Sequence, residues 1–144
     1  MKDPKKYFID TNVFLRALVK EDERSFEESV RLLDLVRNGE IVAYTSCLVM
    51  AEVSWVLGKF YDFSKEQIAF SLKTIVALKN LKIDDRSDAG AAVSLYEKNN
   101  VKFVDALIAS LAIVRKKNLT ILSYDKDFAK LPVKWLRPKE VLKK

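Results

Sequence analysis

Apolar positions in this chain change their period repeatedly, and each change marks an expected element. Tyr7-Phe8-Ile9 is a short apolar run closed by Asp10, which predicts a buried strand over residues 7–10. Residues 11–19 then turn into a helix. Ser25-Phe26-Glu27-Glu28 has the capping-box spacing and predicts an amphipathic helix that ends at Asn38-Gly39. Residues 41–45 read as a second strand, and Ser46 stands where it caps a largely buried helix running to about Phe60. Ser64-Lys65-Glu66-Gln67 repeats the capping pattern before a helix to about Leu78. A short strand over residues 81–83 and a helix over about 87–98 follow. Residues 103–117 read as one nearly all-apolar helix, and the β-branched stretch 119–122 as a strand. A helical turn over 128–131 and a last strand over 133–136, stopped by Pro138, complete the pattern.

Strands alternating with helices predict an α/β fold, a parallel sheet covered on both faces. Such sheets carry their sites at the carboxyl ends of the strands, where Asp10 and Asp125 both fall. No linker, repeat or low-complexity tract interrupts the chain, so a single domain over residues 1–144 is expected.

Composition narrows the chemistry. The chain has 49% apolar and 32% charged residues, the balance of a globular protein. It has no histidine, which removes imidazole bases, Ser-His-Asp catalysis and His-ligated zinc. One cysteine, Cys47, excludes an intrachain disulfide and a Cys-rich zinc site. Three scattered glycines make no phosphate-cradling loop. No apolar run is long enough to span a bilayer, and the one after the basic N-terminus is too short for a signal-peptide core. A cytoplasmic location is therefore expected. Carboxylate and metal chemistry remains, on a chain of net charge +6. That basic balance suits a polyanionic substrate, although lysine-rich surfaces also serve solubility alone.

Four carboxylates stand alone in apolar stretches. Asp10 is the only charge between Lys6 and Arg16, Glu52 the only one from Ile41 to Gly58, and Asp105 the only one from Phe103 to Val114. Asp125 follows a charge-free run that begins after Lys117. Burying an ionised carboxylate costs several kcal/mol unless a cation or donors compensate it, roughly speaking. Each has a plain alternative: Asp10 as a helix cap, Asp105 as a first-turn residue, Glu52 as a solvent-facing acid, Asp125 as part of a polar turn. Together they predict a shared pocket for a hard divalent cation, with oxygen ligands favouring Mg²⁺ or Mn²⁺.

Ile9-Asp10-Thr11-Asn12-Val13 resembles the opening motif of PIN-domain ribonucleases. Met50-Ala51-Glu52-Val53, Val104-Asp105-Ala106-Leu107-Ile108-Ala109 and Leu122-Ser123-Tyr124-Asp125-Lys126-Asp127-Phe128 resemble the motifs that follow it in order. In size the chain is most similar to the VapC-type toxins of toxin–antitoxin pairs. The resemblance implies a three-layer α/β/α sandwich around a short, mainly parallel sheet, and a Mg²⁺- or Mn²⁺-dependent endoribonuclease. Asp10, Glu52, Asp105 and Asp125 would be its metal-binding catalytic acids. Asn12 and Ser123 would support the pocket, Ser123 standing where threonine is frequent, and Asp127 would be an outer acid able to exchange roles with Asp125. An RNA substrate, a homodimer and a small antitoxin partner are implied too.

Other classes fit less well. A haloacid-dehalogenase-like phosphatase needs an aspartate at position 12, where this chain has Asn12. A receiver domain needs neighbouring acids beside Asp10, and its neighbours are Ile9 and Thr11. The rival is a non-catalytic RNA- or protein-binding module on the same fold, served by Arg115-Lys116-Lys117, Lys79, Lys82 and the basic tail. Retention of all four acids favours catalysis. The stripe that includes Phe60, Tyr61, Phe63, Ile68, Phe70 and Leu72 reads as core or as a dimer face.

Overall fold

Five parallel strands form the centre of the computed structural model, which describes residues 3–143. They are β1 (Lys5–Ile9), β2 (Ile41–Thr45), β3 (Leu81–Ile83), β4 (Thr120–Leu122) and β5 (Lys134–Leu136), in the spatial order β3-β2-β1-β4-β5. Each neighbouring pair is parallel, with Phe8 opposite Tyr44 on one side and Ile121 on the other. Phe8, Ile9, Ala43, Ile121 and Leu122 are fully buried, as expected for central strands covered on both faces.

The helices are α1 (Thr11–Leu18), α2 (Glu23–Arg37), α3 (Cys47–Phe60), α4 (Lys65–Val76), α5 (Ala89–Lys98), α6 (Phe103–Ala109), α7 (Ala112–Lys116) and α8 (Pro138–Leu142). The connections β1 to β2 and β2 to β3 step one way along the sheet; β3 to β4 steps back past β1. Right-handed crossovers then put α1–α4 on one face and α5–α7 on the other. The packing agrees, with α1 against α2 and α3, α3 against α4, and α5 against α6. The direction reverses between β1 and β4, the point where open α/β sheets place their sites at the carboxyl ends of the strands.

Three expectations need correction. The helix α2 begins at Glu23, because the Asp22 carboxylate accepts the Ser25 N–H at 3.0 Å and takes the capping role assigned to Ser25. The single helix over residues 103–117 is two. Ser110 donates its hydroxyl to Leu107 O at 2.7 Å, Leu111 is extended, and the Ala112 N–H turns away to Arg86 O at 2.7 Å. Pro138 ends β5 but also opens α8, where its missing N–H costs nothing at the first helical position. The buried Val141 holds α8, which packs on α2. The caps at Ser46 and Ser64 form as expected, the latter with a full reciprocal box to Gln67.

Candidate active site

Asp10 leaves β1 at the N-cap position of α1, yet its carboxylate makes no cap bond. Its Oδ2 accepts from Ser123 Oγ at 2.7 Å, and its Oδ1 is buried without a hydrogen-bond partner. Ser123 follows β4, next to β1, and its Oγ also accepts the Asp125 N–H at 2.9 Å. Asn12 Oδ1 accepts the Tyr124 N–H at 3.0 Å, tying α1 to the same segment. Adjacent strand ends thus lock together through short polar side chains. The Trp135 indole N–H donates to Ser123 O at 2.9 Å and adds a tie from β5.

The other acids arrive from separate elements. Asp105, in the first turn of α6, is 1% exposed, and its Oδ2 is also buried without a partner. Glu52 lies on α3 and is half-buried. Asp125 caps a 3₁₀ turn over Lys126–Lys130, accepting the Asp127 N–H at 2.9 Å, as its polar-turn reading expects. Asp105, Asp125 and Asp127 each bring one oxygen to within 4.8 Å of the others. The tightest triad therefore includes Asp127, with Asp10 and Glu52 around it. Lys130 Nζ lies 3.0 Å from Asp127 Oδ1.

Charge in this pocket is expensive. Burial pushes the Asp10 carboxyl up to about 6, against the hydrogen bond from Ser123. Burial, then the charge of Asp10, pushes Asp105 up to about 7. Lys102 feels the same field. Partial burial disfavours its ammonium, but Asp105, Glu52, Asp125 and Asp10 outweigh that and raise its pKa. Lys102 Nζ stands 3.9 Å from both Glu52 Oε2 and Asp125 Oδ2. Sequence reading missed this lysine; it lies outside the motifs, and its only signal is its place three residues before Asp105.

These residues fit a divalent metal. Two buried carboxylate oxygens lack donors, all ligand atoms on offer are oxygens, and the five acids outnumber the two lysines beside them, Lys102 and Lys130. A cavity of about 220 Å³, which none of these acids lines, is bounded by Arg16, Arg24, Arg137 and Lys139 together with Tyr124, Ser25, Asp22 and Glu28. A larger cavity, about 450 Å³ between Leu95, Val114 and Val133, contains none of the acids.

The PIN domain family model matches residues 7–134. A comparison with curated protein sequences gives no match. Among solved structures, VapBC2 from Rickettsia felis, bound to a DNA fragment from its promoter, is similar at a TM-score of 0.66 with 24% identity. That match covers 92% of this chain and 98% of the other. Mycobacterium tuberculosis VapC20, described as a Sarcin-Ricin loop cleaving toxin, matches at 0.66 and 21%, covering 92% and 99%. A toxin–antitoxin complex from Klebsiella pneumoniae matches at 0.59 and 22%, covering 92% and 97%. At these identities the likeness concerns the fold. The family match spans most of the chain and takes in all four isolated acids, and the chain belongs to the PIN-domain family.

Proposed function

We propose that this protein is a metal-dependent endoribonuclease that hydrolyses RNA phosphodiester bonds, the toxin of a toxin–antitoxin pair, with the whole chain working as one domain. The observation that carries this reading is the pair of buried, donor-less oxygens on Asp10 and Asp105 at the β1–β4 crevice. Such oxygens are costly unless a cation meets them.

Asp10, Glu52, Asp105 and Asp125 would hold Mg²⁺ or Mn²⁺, with Asp127 joining Asp105 and Asp125 on one side. When bound, the metal supplies Lewis-acid charge at the scissile phosphate and acidifies the water it touches. Ser123 fixes the Asp10 carboxylate with its single proton and receives the Asp125 N–H on its lone pair. Asn12 holds the backbone of Tyr124, so the turn bearing Asp125 and Asp127 keeps its aim at the crevice. Both act by positioning the acids.

A small antitoxin partner is supported by the partnered state of the Rickettsia and Klebsiella neighbours. A homodimer is supported by large exposed apolar side chains, among them Trp55, Phe60, Phe70 and Tyr96. No helix among the described residues is long and apolar enough to cross a membrane, in keeping with work in the cytoplasm.

The deciding experiment incubates the purified protein with structured and unstructured RNAs in Mg²⁺, Mn²⁺ or EDTA, beside Asp105→Asn. Cleavage that needs metal and vanishes in the variant, while the variant still binds RNA, is the expected result. Cleavage by Asp105→Asn at the wild-type rate would refute the assignment. RNA binding without cleavage in any metal would leave a binding module on this fold.

A further inference from the structure

Lys102 is used by none of the chemistry above, yet its ammonium sits among the acids. It holds the N-cap position of α6 without making a side-chain cap bond, so its side chain has no local structural task there. Its Nζ lies 3.9 Å from an oxygen of Glu52 on α3 and 3.9 Å from an oxygen of Asp125 after β4. A locked, charge-assisted hydrogen bond is shorter, about 2.7–2.9 Å. The side chain is 60% exposed, which places its four-carbon stem along the rim and leaves it room to swing.

We propose that Lys102 is the pocket's built-in counter-cation, which yields to the metal and then holds a non-bridging oxygen of the substrate phosphodiester at the pocket mouth. The first half rests on this geometry and on the metal-site reading of the acids; the second rests on the nuclease reading as well. With a divalent ion held by the acids, the ammonium of Lys102 would lose its attraction to Glu52 and Asp125, whose charge would then be neutralised without it. The flexible stem carries the charge outward, where an approaching phosphate is the nearest anion not already held by the metal. A compact ammonium suits that task as a point charge. One charge therefore acts with opposite signs: it opposes metal binding and favours substrate binding. A lysine that served only to stabilise the fold would do neither.

The test uses the full chain with Lys102→Met, which keeps the stem and removes the charge, and Lys102→Arg, which keeps the charge. Mn²⁺ is titrated by calorimetry at fixed ionic strength without RNA. Lys102→Met is expected to bind Mn²⁺ roughly three- to tenfold more tightly than wild type, and Lys102→Arg to match wild type. At saturating Mn²⁺, Lys102→Met is expected to show an RNA KM raised about tenfold with a smaller change in kcat, restored largely by Lys102→Arg. Should Lys102→Met fail to fold, Lys102→Gln takes its place. Unchanged or weaker Mn²⁺ affinity in a folded charge-free variant overturns the counter-cation. Tighter Mn²⁺ binding with an unchanged KM overturns the phosphate contact. Because the metal titration contains no RNA, a wild-type protein that cleaves nothing removes the nuclease reading and the phosphate contact together, while calorimetry still decides the counter-cation.

Discussion

Asp10 and Asp105 are almost shut off from water, and burial raises both carboxyls, to about 6 and about 7. In the unfolded chain an aspartate titrates near 4, roughly. Between those limits the folded protein holds protons that the unfolded chain has released. Stability then falls as pH rises, since the slope follows the protons bound unfolded minus those bound folded. The metal-free protein should therefore melt at a lower temperature at pH 8 than at pH 5, and Mn²⁺ should restore stability most at pH 8. Replacing Asp10 by Asn should flatten that dependence. Thermal melts in EDTA and in Mn²⁺ at the two pH values check all three outcomes. The isolation of these acids was legible in the sequence, because no neighbour in the chain neutralises them. Lys102 was not, because a lysine among twenty-six basic residues carries no mark of what it faces.

At the scale of the element, local chemistry decided most boundaries. Ser46 is fully buried; its hydroxyl accepts the Leu48 N–H at 3.1 Å and donates to Asp85 Oδ1 at 2.8 Å. Replacing Ser46 by Ala should cost about 1–2 kcal/mol, as measured by urea denaturation, because a cap and a buried hydrogen bond go together. That loss should loosen the start of α3, which carries Glu52. The break between α6 and α7 shows where local reading fails. The apolar run through Ile108, Leu111 and Val114 continues the helical period, but the Arg86 carbonyl draws the Ala112 N–H out of it. A bond to a residue more than twenty positions away leaves no trace in the local pattern. The displaced start of α2 has a simpler origin, since Asp22 and Ser25 both cap well and only the folded backbone chose between them.

Across the whole molecule, the sheet order sets what the acids can do. Placing β1 between β2 and β4 brings Asp10 and Ser123 together although 113 positions separate them. The fold also gathers Arg16, Arg24, Arg137 and Lys139, with Asp22 and Glu28, in one cavity with Tyr124, the residue before Asp125. Arg137, just past β5, lies over the Trp135 ring, 5.8 Å from its centroid, and Trp135 anchors Ser123. Tyr124 links this cavity to the turn that bears Asp125, and under the nuclease reading its cations suit the phosphates of an RNA strand. Reversing the charge with Arg137→Glu should raise KM several-fold and leave Mn²⁺ affinity within about twofold. It should also flatten the dependence of RNA affinity on salt by roughly one phosphate contact. Filter binding across a salt series and metal calorimetry check it.

The sequence alone determined the succession of strands and helices, the choice of carboxylate over histidine chemistry, and the four acids out of place in apolar runs. These follow from periodicity and from the cost of burying charge, which act along the chain and can be read there. Tertiary structure decided the rest: which oxygens lack a donor, that Asp127 rather than Glu52 completes the tightest triad, that Lys102 stands between two acids, and where the basic cavity opens. Each of these depends on distances between groups on different elements. Those distances are fixed only when β1 and β4 pair and the helices pack on the two faces of the sheet.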